Sequence, residues 1–151
     1  MRREEIIAKG VYTAPQFAEL ISVKQFIMLR QRGEKYLLLR LCNDRTEKAD
    51  SLCFRLKQYD VKGNLICSET VTERGLSVEG GSDFALDRKI KLNKACIDFR
   101  IEMVSATYGD YTYNLHGNRL TSVYENKSDE LPLNKQELSK QMDGKNSKAP
   151  A

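Results

Sequence analysis

The chain has 151 residues, 40% hydrophobic and 30% charged, which is enough apolar material for the core of one domain and enough charge to keep it dissolved. Its 25 Lys and Arg stand against 21 Asp and Glu, a formal charge of only +4, and the two signs are interspersed. This lacks the concentrated basic stripe of a nucleic-acid binder, and no apolar run approaches the roughly 20 residues that a membrane-spanning helix requires.

In chain order, residues 1–10 are charged and read as the start of a short helix or as loose chain. The opening MRREEIIAKGVYT has no apolar h-region of a secretory signal, so a cytoplasmic location is expected, or an extracellular one if a signal has been trimmed away. From about residue 20 the helical period of 3.6 is nearly absent and a period of two recurs. LISVKQFIML alternates loosely. EKYLLLRLCN puts Leu37, Leu39 and Leu41 on one face. SLCFRLKQYD puts Leu52, Phe54 and Leu56 on one face and Cys53, Arg55 and Lys57 on the other. NLICSETVT is rich in strand-favouring residues, and DFALDRKIKL is weaker.

The cleanest alternation is CIDFRIEMVSATYGDYTY. It sets Ile97, Phe99, Ile101 and Met103 on one side and Cys96, Asp98, Arg100 and Glu102 on the other. YTYNL and NRLTSVYE complete the set. Turn chemistry falls between the runs at Arg32-Gly33-Glu34, Asn43-Asp44-Arg45, Asp60 to Asn64, Gly80-Gly81-Ser82, Tyr108-Gly109-Asp110 and His116-Gly117-Asn118. Seven or eight short strands at regular spacing predict an all-β, immunoglobulin-like antiparallel sandwich over residues 1–124. Residues 125–151 lose their aromatic residues and balance five Lys against five acids. They read as a polar, mostly disordered tail, with Asn134 placed to cap a short helix through KQELSKQM.

Candidate chemistry is sparse. Asp98 and Glu102 share a face, but Arg100 between them favours both carboxylates ionised, which suits a solvated charge ladder better than acid–base work. His116 is the single imidazole and sits in an expected turn, where no thiol can be assigned to it as a nucleophile. Cys42, Cys53, Cys67 and Cys96 form no C-x-x-C pair and read as reduced thiols in or beside strands. GLSVEG misses the G-x-S-x-G spacing by one residue, VEGGSDF is no phosphate cradle and reads as a flexible loop, and DVKGN puts Lys62 where calcium needs an oxygen. No cofactor or metal is expected.

Tyr108, Tyr111 and Tyr113 cluster around one turn, with Tyr124 beyond. Tyrosine offers large contact area at low entropy cost, so these three are the candidate binding residues. Tyrosines also fill sandwich rims with their hydroxyls satisfied, which is the structural reading of the same cluster.

FRLKQYDVKGNLI, Phe54 to Ile66, resembles the strand–turn–strand signature of the FxLYD-type domain, an immunoglobulin-like sandwich of Gram-positive bacteria often attached to other modules. Phe54, Leu56, Tyr59, Asp60 and Gly63 match in kind, while Lys57 and Gln58 set Tyr59 further from Leu56. The resemblance implies a non-enzymatic accessory or binding role and supplies no catalytic residue. The expected function is therefore a non-catalytic bacterial module that binds another protein or serves structurally, with an exposed edge strand available for pairing two copies. Two alternatives come from other classes. One is single-stranded nucleic-acid binding on the tyrosines with nearby Arg or Lys. The other is a small thiol-dependent or metal-binding protein.

Overall fold

A computed structural model describes residues 4–17, 19–117 and 119–124. The tail expected over 125–151, with its possible helix, lies outside these residues.

Ten strands build an all-β antiparallel sandwich of two five-stranded sheets. They are β1 (Glu5–Val11), β2 (Ile21–Gln31), β3 (Glu34–Asn43), β4 (Ser51–Tyr59), β5 (Leu65–Glu73), β6 (Asp83–Ala85), β7 (Ile90–Leu92), β8 (Asp98–Tyr108), β9 (Tyr111–His116) and β10 (Arg119–Tyr124). One sheet runs β1-β2-β3, with the two short strands β6 and β7 side by side along the far edge of β3. The other runs β10-β9-β8-β4-β5. No helix among the described residues is long and apolar enough to cross a membrane.

Two expectations about strand content need correction. Residues 1–10, read as helix or loose chain with strands starting near 20, hold all of β1 but its last residue, and β1 pairs with β2 along its length. All seven of its residues are exposed, so no buried alternation marks it in the sequence. DFALDRKIKL, read as one weak strand, is two: Leu86-Asp87-Arg88-Lys89 separates β6 from β7, and both pair with β3.

The core is made by the inner faces of the two sheets. Leu37, Leu39 and Leu41 of β3 meet Leu52, Phe54 and Leu56 of β4 and Phe99 and Ile101 of β8 in a single buried cluster. Each such side chain contributes roughly 1.5–3 kcal/mol by leaving water. Tyr12 stacks on Phe99 with ring centres 5.7 Å apart, and Phe26 meets Phe99 edge-on at 5.2 Å. The Ile101 N–H donates to the Tyr12 hydroxyl at 2.8 Å, tying the β1–β2 connection to β8.

The period of two in β8 starts and stops later than the alternation suggests. Ile97, expected on the oily side, is 52% exposed, whereas Cys96, expected on the charged side, is fully buried. Both precede the strand. The Asn93 carbonyl accepts from the Cys96 N–H, and its side chain accepts from the Ala95 N–H, so this stretch is a turn and not extended chain. Further on, Phe54 opposes Met103 but Cys53 opposes Ser105, which leaves Val104 as an unpaired bulge. The extra residue shifts the phase, so Ala106 and Tyr108 point inward after Phe99 and Ile101 have done so.

Candidate functional site

Tyr108, Tyr111 and Tyr113 lie at the β8–β9 hairpin. Gly109, at φ 64°, takes the first turn position, which lets Tyr108 and Tyr111 oppose each other directly. Tyr113 opposes Ala106, and Tyr124 of β10 opposes Tyr111. All four side chains therefore stand on the inner side of their sheet. They form a row: Tyr108 meets Tyr113 edge-on at 5.5 Å, Tyr113 stacks near Tyr111 at 6.4 Å, and Tyr111 tilts against Tyr124 at 5.1 Å.

The row runs from core to solvent, and its members have different fates. Tyr108 is 4% exposed, and its hydroxyl donates to Asn43 Oδ1 at 3.1 Å and lies 3.3 Å from the Leu20 carbonyl. It is a core residue, so the expectation that it forms part of a binding surface is corrected. The bulge at Val104 is what turns it inward. Burial raises its pKa well above the ordinary tyrosine value. Tyr113 is half-buried, and burial raises its pKa too. Tyr111 is 45% exposed.

Arg45 and Glu47, which carried no signal in the sequence, complete the site. The Arg45 guanidinium carbon lies 4.1 Å from the centre of the Tyr113 ring and 5.7 Å from that of Tyr108. Its Nε is 3.1 Å from Glu47 Oε1, and its Nη2 donates to the Tyr113 hydroxyl at 3.2 Å. The Tyr113 hydroxyl in turn donates to Glu47 Oε2 at 3.4 Å. Burial by itself would raise the Glu47 carboxyl, but Arg45 beside it holds it below the usual range. Burial would lower the Arg45 pKa, and Glu47 more than offsets this.

A cradle of backbone contacts fixes these two side chains. Asn43, fully buried at the end of β3, donates from Nδ2 to the carbonyls of Glu47 at 2.8 Å and Val78 at 3.1 Å. Its Oδ1 accepts from the Arg45 N–H at 3.2 Å. Ala49 and Val78 form an antiparallel bridge. Gly80 packs so tightly that a Cβ there would sit 2.3 Å from the Thr46 carbonyl oxygen. The VEGGSDF segment, expected to be a flexible loop, is thus hydrogen-bonded into the wall behind Arg45. Asn43, Arg45 and Glu47 are near neighbours in the chain, but Val78 reaches Asn43 from 35 positions away, which no local pattern can signal.

The other candidate residues do not converge. Glu102 pairs across the sheet with Lys57 at 2.9 Å and lies 3.9 Å from Arg55, so the charge ladder draws its cations from β4. His116 is exposed on the rim of a cavity of about 570 Å³ between the β1–β2 connection and the β9–β10 hairpin. Phe17, Ile101, Met103 and Leu115 line it, and no cysteine does. All four cysteines are free thiols. Burial raises Cys96, whose Sγ donates to the Asp98 carbonyl at 3.3 Å. Burial, followed by Asp83 and Asp44, pushes Cys42 up to about 11. Among the described residues no three His, Cys, Asp or Glu side chains gather in a metal-holding group.

What the site offers is an amphipathic surface: one exposed tyrosine packed near two others, with an internally neutralised ion pair alongside. No family model, curated protein or solved structure matches this chain.

Proposed function

We propose that this protein is a non-catalytic interaction module whose contact surface is the solvent end of the tyrosine row. The observation that carries the reading is Tyr111. It is 45% exposed, yet its ring packs near Tyr113 at 6.4 Å and against Tyr124 at 5.1 Å. A tyrosine already held in place loses little entropy on binding and offers both apolar area and a hydroxyl. The accessory role of FxLYD-type domains in Gram-positive bacteria, which the Phe54–Ile66 segment resembles, agrees with this reading. The partner proposed is another protein. A phosphate backbone is less suited, because the Arg45 charge is already engaged by Glu47 and a second anion would meet that carboxylate.

The test compares wild type with Tyr111→Ala in affinity capture from the native host and in a gel shift with single-stranded DNA at low salt. A protein retained by wild type and lost from Tyr111→Ala is the expected result. Equal retention by both would remove Tyr111 from the function. A salt-sensitive DNA shift would assign the surface to nucleic acid.

A further inference from the structure

We infer that two copies of this chain associate through β10, antiparallel strand to strand, with Ser122 on the two-fold axis. A sandwich has four sheet edges, and each exposes backbone N–H and C=O groups to any passing strand. Three of the four carry protection here. On β1, Ile7 is a bulge that breaks the ladder in its middle. The edge beyond β3 is covered by β6 and β7, each only three residues long. On β5, Ile66 is a bulge and Glu69 stands mid-strand, so a two-fold pairing near its centre sets the two Glu69 side chains opposite or diagonal to each other. The free side of β8 before Val104 is also blunted: the Phe99 N–H is taken by Asp98 Oδ1 at 2.8 Å and the Ile101 N–H by Tyr12.

β10 has none of these devices. Its six residues pair with β9 in unbroken register, and among the described residues no strand pairs with its other side. It carries no Pro, no Lys and no acid, and its one charge, Arg119, sits at the end. His116 and Arg119 close a two-residue loop, so Arg119, Thr121 and Val123 direct their backbone groups to β9. Leu120, Ser122 and Tyr124 therefore direct theirs outward.

The register follows from these outward groups. Centring the axis on Ser122 pairs Leu120 with the partner's Tyr124, Ser122 with itself and Thr121 with the partner's Val123. Every outward group is used, giving roughly six hydrogen bonds. It also places aromatic against aliphatic and two β-branched residues opposite each other, both favourable cross-strand pairs. Centring on Thr121 would leave Tyr124 unmatched. The result is one continuous ten-stranded sheet across the dimer. The contact is small, so the dimer is concentration-dependent.

Sedimentation velocity of the full chain over a range of concentrations tests this. Wild type is expected to move from monomer to dimer as concentration rises. Ser122→Lys and Ser122→Glu are each expected to sediment as monomers, because like charges then face each other on the axis, and an equimolar mixture of the two is expected to recover the dimer. Thr70→Lys on β5 should leave the dimer intact. A wild type that stays monomeric throughout overturns the inference, as does a dimer that survives Ser122→Lys. Folded Ser122 variants whose mixture remains monomeric overturn the register.

Discussion

The Tyr108 hydroxyl donates to Asn43 Oδ1 across 3.1 Å, joining β8 of one sheet to the end of β3 in the other. The bond is buried, and Asn43 spends its amide N–H groups on the carbonyls of the segments that hold Arg45 and Glu47. One asparagine thus links the core to the candidate surface.

Tyr108→Phe should lower stability by about 1–2 kcal/mol, because the ring still fills its place while Asn43 loses a donor. Asn43→Ala should cost more, about 2–4 kcal/mol, since it leaves several buried groups unpaired at once. Chemical denaturation of both variants measures the difference. Equal losses would show that Asn43 acts only through Tyr108.

Gly80→Ala should destabilise by about 1–3 kcal/mol through overpacking against the backbone of Thr46. Backbone cannot step aside as a flexible side chain can. The segment carrying Arg45 should shift with it, so the Tyr113 ring resonances in an NMR spectrum should move although residue 80 does not touch that ring.

Cys42 should react slowly with thiol reagents. With its pKa pushed up to about 11 by burial and by Asp83 and Asp44, roughly one thiol in a thousand is ionised at pH 8. Asp83→Asn removes one of the carboxylates and should speed the reaction. Mass-spectrometric labelling at several pH values follows each cysteine separately.

Alkaline stability should fall from about pH 10 upward. Burial raises Tyr12, Tyr108 and Tyr113 above the ordinary tyrosine value in the folded chain. The unfolded chain then releases its tyrosine protons first and gains in stability relative to the native state. The stabilisation is complete below the unfolded pKa and is lost as pH rises through the folded values. Thermal melts at pH 8 to 11 check the direction, and Tyr108→Phe should flatten the slope.

The sequence by itself determined β3 and β4. Leu37, Leu39 and Leu41, then Leu52, Phe54 and Leu56, alternate without interruption and are buried as they must be, because a pleated strand turns every second side chain to the same face. Gly63 and Gly109 marked their turns because positive φ strains every other residue. Only the tertiary structure decided which tyrosine is core and which is surface. Tyr108 and Tyr111 look alike in sequence, but the bulge at Val104 and the loop through Arg45 bury the first and leave the second open. A bulge adds one residue without any mark in composition, and Arg45 reaches Tyr113 across 68 positions. Alternation reports what a strand does to its own side chains, whereas burial depends on what distant chain arrives to cover them.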